Sequence, residues 1–140
     1  MQNKILVSKQ LYRIVDANFN RAKEGLRVCE DVARYVWNKK GLTKSLKDLR
    51  HDLTKVVSGL TMTKVLEGRD VHSDVGRPSS SAELKRKDVS SIFLANIQRV
   101  KESLRVLEEV SKLLNVKVSE GFKSLRYRAY VLEQKAVSPR

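Results

Sequence analysis

An all-α fold, a helical bundle of two duplicated helix hairpins with pseudo-twofold symmetry and one long central loop, is predicted by three observations. Apolar residues recur at spacings of three and four through most of the 140 residues, the period of an amphipathic helix. No stretch alternates apolar and polar residues over a strand's length, since Ile5 to Val7 and Val56 to Val57 are too short to support a sheet. Finally, Ala17 to Arg34 (ANFNRAKEGLRVCEDVAR) returns 78 residues later as Ala95 to Lys112 (ANIQRVKESLRVLEEVSK), identical at ten of eighteen positions. A weaker echo at an offset of 76, Lys47, Leu49 and Arg50 against Lys123, Leu125 and Arg126, makes the repeated unit a pair of helices.

Each element has its own signal. Ala22, Gly25, Leu26, Cys29, Val32, Ala33 and Val36 mark a first helix from about Leu11 to Asn38, stopped near Gly41. A second runs from Leu42 to about Ser58, where Gly59 ends it, and a short segment to Leu66 is a further helical candidate. Val100, Leu104, Leu107, Val110 and Leu114 predict a third helix from about Asp88 to Leu114. The fourth spans about Ser119 to Gln134, with Asn115 between the two. The chain therefore reads as a single domain over 1–140, with repeat halves at about 11–58 and 88–134. Between them Glu67 to Ser81 (EGRDVHSDVGRPSSS) lacks helical periodicity and forms the long central loop, about 67–81. Irregular segments of that length in compact domains are commonly functional.

Composition narrows the function classes. The chain carries 29 Lys and Arg against 16 Asp and Glu, a net charge of +13, which favours polyanionic partners: nucleic acid, an acidic membrane surface, or a small phosphorylated ligand. One Cys forms no internal disulfide, Met1 to Gln10 lack the apolar core of a signal peptide, and no window approaches 18 apolar residues. A cytoplasmic, soluble protein is the expectation.

Asn18 and Arg21 open the apolar face of the first helix, and Asn96 and Arg99 repeat them in the third. A guanidinium on such a face calls for a carboxylate, a helix end or an anionic ligand. The retained pairs suggest a small cationic site at the pseudo-axis. Glu24, Arg27 and Glu30, like Glu102, Arg105 and Glu108, have the spacing of ordinary surface ion pairs. His51, between Arg50 and Asp52, reads as structural, and Lys85, Arg86 and Lys87 as a solvated helix entrance. In the loop, Arg69, Asp70, Asp74, Gly76 and Arg77 lie in close order, and Gly76 permits a tight backbone turn against a ligand. His51, His72 and Cys29 lack the spacing of a zinc site, and no Walker-type loop occurs; Gly121-Phe122-Lys123-Ser124 has neither its spacing nor a preceding strand. These residues lead as far as a basic helical phosphate-binding domain.

Arg13-Ile14-Val15-Asp16-Ala17-Asn18, continuing through Arg21, Glu24 to Val28 and Glu30, resembles the opening motif of the monofunctional hydroxymethylpyrimidine phosphate kinase family of thiamine biosynthesis. Leu49-Arg50, Arg69 with Asp74-Val75-Gly76, Asn96, Arg99 and Glu102 with Leu104 to Glu109, and Leu125 to Arg128 extend the likeness over about Arg13 to Glu133. That domain occurs alone or ahead of a thiamine phosphate synthase barrel. The resemblance implies an enzyme, a phosphomethylpyrimidine kinase that uses ATP and magnesium (Mg2+) to phosphorylate 4-amino-5-hydroxymethyl-2-methylpyrimidine phosphate. On it, Arg69 and Asp74 are expected to be catalytic and Asp74 and Asp70 to hold the metal. Asn18, Arg21, Arg50, Gly76, Asn96 and Arg99 are the expected substrate and phosphate contacts. Such chemistry needs charge neutralisation more than a strong base. Thiamine phosphate synthase is the expected functional partner, self-association is open, and a membrane is not expected. Two alternatives stand beside the kinase: a noncatalytic pyrimidine-phosphate-binding partner domain of thiamine phosphate synthase, and the less favoured basic helical nucleic-acid-binding module.

Overall fold

The computed structural model describes residues 2–81 and 83–138. Five α-helices account for its regular structure: α1 (Gln2–Asp31), α2 (Lys40–Val57), α3 (Met62–Glu67), α4 (Val89–Ser111) and α5 (Val116–Val137). A π-helical turn, Val32–Val36, closes α1. Among the described residues there is no strand, and no helix is long and apolar enough to cross a membrane.

The helix ends differ from the periodic pattern for local reasons. α1 begins at Gln2 rather than Leu11, because Gln2 to Gln10 contain neither Gly nor Pro and helix propensity continues where apolar periodicity stops. At its other end the Trp37 N–H donates to the Val32 carbonyl at 3.0 Å, which widens the last turn and lays the Trp37 ring against Phe93 at 5.0 Å. The reversal is made by Asn38, at φ 53°, and not by Gly41; asparagine is among the few side chains that tolerate this left-handed conformation. α4 is opened by Asp88, whose carboxylate accepts from Ser91 N–H at 2.8 Å while Ser91 Oγ accepts from Asp88 N–H at 3.0 Å. Asn115 caps α5 by accepting from Val118 N–H at 3.2 Å, so α5 starts three residues before Ser119.

α1 packs on α2, α4 and α3, and α5 on α2 and α4. Leu26, Leu46, Leu49 and Leu53 from the first pair of long helices meet Phe93, Ile97, Leu104 and Phe122 from the second in the core. The α1–α4 crossing is close at Gly25, where an added Cβ would stand 2.9 Å from Val100 Cγ2 and 3.0 Å from the Asn96 carbonyl oxygen. Cys29, also in the core, donates to the Phe93 carbonyl at 3.5 Å. Burial, with the nearby Glu133 charge, pushes its thiol up to about 12.

Two glutamates lie inside the bundle. Glu30, 2% exposed, accepts from Arg50 Nε at 3.2 Å across the α1–α2 interface and from Arg27 Nη1 at 3.2 Å on its own helix. Glu108 does the same with Arg126 Nη2 at 3.0 Å from α5 and with Arg105 on α4. These glutamates are thus core residues, contrary to the surface role suggested by their spacing. Spacing of three along a helix does not tell which end of the pair faces the neighbouring helix.

Two stability outcomes follow from this packing. Gly25→Ala should cost about 1–3 kcal/mol by overpacking the α1–α4 crossing, whereas Gly41→Ala, with nothing within 4 Å of its added Cβ, should shift stability by no more than about 1 kcal/mol. Arg50→Ala leaves Glu30 in the core with Arg27 alone and should cost about 3 kcal/mol. Urea unfolding of the three variants against the parent checks both.

Candidate functional site

The α1 surface between Gln10 and Glu24 supplies one wall of the site. Asn18 Nδ2 donates to the Ile14 carbonyl at 2.9 Å and Asn20 Nδ2 to the Asp16 carbonyl at 2.9 Å, so each amide is anchored to its own helix through nitrogen and its oxygen remains as an acceptor. Arg21 is exposed and has no ion-pair partner among the described residues. Asp16, 5% exposed, lies on the buried stripe between Tyr12 and Phe19.

The other wall is the start of the central loop. Gly68 is buried against α1, where an added Cβ would stand 2.6 Å from Arg13 N. The next residue, Arg69, donates from Nε and Nη2 to the two Asp16 oxygens, each at 2.8 Å, and this hydrogen-bonded pair raises the guanidinium's pKa further. Arg13 Nη2 donates to the Asp70 carbonyl at 3.1 Å. Between the walls is a cavity of about 830 Å³ lined by three guanidiniums (Arg13, Arg21, Arg69), three carboxylates (Glu24, Asp70, Asp74) and the amides Gln10, Asn18 and Asn20.

Of the residues expected from sequence, Asn18, Arg21, Arg69, Asp70 and Asp74 thus come together here. Gly76 follows directly, its N–H donating to Asp74 Oδ1 at 2.9 Å, but its φ is not positive and no backbone packs against it. Arg50 lies instead on Glu30. Asn96 repeats the local bond of Asn18, Nδ2 to the Ile92 carbonyl at 2.8 Å, and Arg99 is exposed, yet neither lines this cavity. Arg13, Gly68 and Asp16 were not singled out. The signal for Asp16 was present, since a carboxylate on the buried stripe of a helix demands a cation from elsewhere in the chain.

The expected kinase reaction, with its transferase assignment and its ATP and Mg2+ cofactors, is corrected by this geometry. Every regular element among the described residues is helical, so the β-containing nucleotide-kinase scaffold that the reading requires is not present. Gly121-Phe122-Lys123-Ser124 lies within α5, where its backbone serves the helix. The two expected metal ligands are exposed, and each accepts from the backbone of its own turn, Asp70 from Ser73 N–H at 3.0 Å and Asp74 from Gly76 N–H at 2.9 Å. The Ser73 contact is the main reason the Asp70 carboxyl lies below its ordinary range. No group of three or more His, Cys, Asp or Glu converges to hold a metal ion among the described residues. The arrangement offers charged and hydrogen-bonding groups to a polar ligand.

Residues 13–135 match the model of the ThiD2 family. A thiamine-phosphate synthase of Thermosynechococcus vestitus is 41% identical over 138 residues, which are 96% of this chain and 38% of that protein. One of Rhodopirellula baltica is 39% identical over 124 residues, 88% of this chain and 33% of that protein. The chain therefore spans about a third of the length of the curated relatives it matches. No solved structure matches it significantly.

Proposed function

The chain belongs to the ThiD2 family, and on that premise we propose that it binds the phosphorylated aminopyrimidine of thiamine biosynthesis in the cavity between α1 and the central loop, as a noncatalytic partner domain of thiamine phosphate synthase. One observation carries the reading. Arg21 has no ion-pair partner among the described residues and lines a cavity whose other polar groups are amides, carboxylates and the guanidiniums of Arg13 and Arg69. Hydroxymethylpyrimidine phosphate carries an anionic phosphate, esterified on its hydroxymethyl oxygen, and an exocyclic amine, so it needs a cation at one end and an acceptor at the other. Arg21 and Arg13 suit the phosphate. The amide oxygens of Asn18 and Asn20 and the carboxylates of Glu24, Asp70 and Asp74 suit the amine.

A nucleic-acid backbone fits this lining less well, because it presents one charge sign and favours a uniformly basic groove. The curated relatives named thiamine-phosphate synthase support the association with that enzyme. The wider architecture is also part of the proposal: two duplicated hairpins related by a pseudo-twofold axis. The matching Asn18 and Asn96 bonds, and the matching pairs of Glu30 with Arg50 and Glu108 with Arg126, support it.

Calorimetric titration with hydroxymethylpyrimidine phosphate, in the absence of ATP and Mg2+, tests this function. Binding should be observed, and Arg21→Ala should weaken it by about tenfold or more, the worth of one charge-assisted contact. The unphosphorylated alcohol should bind more weakly by a similar factor. Equal affinity for alcohol and phosphate overturns the reading, and so does ADP formation by this chain when ATP and Mg2+ are added.

A further inference from the structure

One difference between the two copies of the sequence repeat lies at its leading edge. Immediately before the shared Ala17 and Ala95 stand Asp16 in the first copy and Leu94 in the second. Asp16 is buried beneath the start of the central loop, whereas Leu94, at 39% exposure, has no comparable cover. A residue that distinguishes the copies is therefore the one to which the loop attaches.

From this contrast we infer that Asp16 is the positioning residue of the cavity: through Arg69 it latches the loop to α1 and so sets where Asp70 and Asp74 stand. The inference rests on the binding reading above. Three contacts within three residues make the latch. Gly68 lies flat on the α1 backbone, Arg69 forms the two 2.8 Å bonds to Asp16, and the Asp70 carbonyl accepts from Arg13. Asn20 Nδ2 also donates to Asp16 Oδ1, at 3.2 Å, and keeps that carboxylate oriented toward the loop.

Beyond Asp70 the described loop residues are exposed throughout, and Val75 is completely so. Their backbone bonds are short-range turns, such as Asp74 N–H to the Val71 carbonyl at 3.4 Å and Arg77 N–H to the Asp74 carbonyl at 3.3 Å. Such turns shape the loop without fixing it against the helices. Its placement over the cavity consequently depends on the latch. Arg69 accordingly works through Asp16, with two of its three nitrogens already engaged, more than through direct contact with a bound phosphate.

The test pairs hydrogen exchange on the ligand-free protein with ligand titration, using Asp16→Asn, Arg69→Gln and the double variant. Asp16→Asn should speed amide exchange over residues 69–76 by about tenfold or more while leaving α4 and α5 unchanged, the pattern of local rather than global opening. It should also weaken hydroxymethylpyrimidine phosphate binding by about tenfold or more, and the double variant should bind no worse than either single one, because both remove the same link. Arg69→Gln breaks the pair from the exposed side, so the result does not depend on how the core receives an asparagine. Unchanged loop exchange in both single variants overturns the latch. Faster loop exchange with unchanged affinity overturns the positioning role, as does additivity of the two losses. If the parent protein binds no pyrimidine phosphate, the function proposed above fails and the positioning role with it, while exchange in the ligand-free protein still reports whether the latch exists.

Discussion

A carboxylate inside a helical bundle restricts its surroundings more than any single apolar contact does. Glu30 and Glu108 each require cations delivered to the core, because desolvating a charge without a hydrogen-bonded partner costs several kcal/mol. In both cases one guanidinium comes from the adjacent helix, Arg50 from α2 and Arg126 from α5, and a second from the same helix three residues earlier. The interhelical contact sets register. A slide of one turn, about 5.4 Å, would carry the guanidinium out of reach, whereas leucines facing leucines tolerate such a slip much better. Each hairpin is held at one alignment by this link, and the two hairpins then meet where Gly25 allows α1 to approach α4. The surfaces that form the cavity are a consequence of that alignment.

The helical class and the four long helices were legible because they depend on local period, and local period is written in one dimension. The boundaries were not, because they depend on events at single residues. Asn38 reverses the chain instead of Gly41, Gln2 extends α1 past its apolar stripe, and Asn115 opens α5 early. The two buried glutamates illustrate a further limit. Glu24 and Glu30 look alike in sequence, both three residues from Arg27, yet Glu24 lies on the cavity wall and Glu30 in the core. Which of them turns inward is decided by α2, a helix that the spacing within α1 does not contain.

The site was legible in part for a related reason. The central loop was identifiable from its lack of period, and its Arg69, Asp70 and Asp74 do stand with Asn18 and Arg21. Their roles were harder to read, since a loop carboxylate can face a metal, a ligand or its own backbone. Asp followed two or three residues later by a free N–H favours the last of these, and Asp70 with Ser73 and Asp74 with Gly76 both take it. A catalytic metal site requires carboxylates that converge, whereas loop residues satisfied by their own turns present a hydrogen-bonding edge. The net charge of +13 was likewise a property of the whole surface. It did not describe the cavity, whose lining carries equal numbers of guanidiniums and carboxylates.

Repetition within a chain invites the reading that whatever is kept twice is functional. Here the residues kept twice divide in another way. Glu30 and Glu108, with Arg50 and Arg126, are repeated because each hairpin needs the same internal link. Asn18 and Asn96 are repeated with the same bond to the carbonyl four residues earlier, although only Asn18 lines the cavity. Identity between the copies therefore covers packing links such as these as well as exposed residues such as Arg21 and Arg99. The contacts that bring the loop onto α1 come from unrepeated residues: Asp16 where the second copy has Leu94, Arg13 where it has Ser91, and the Gly68-Arg69 step that follows α3. A loop can cover only one of two similar faces when only one of them carries a buried acceptor for it, and for that reason the asymmetry of the repeat is more informative about the site than its symmetry.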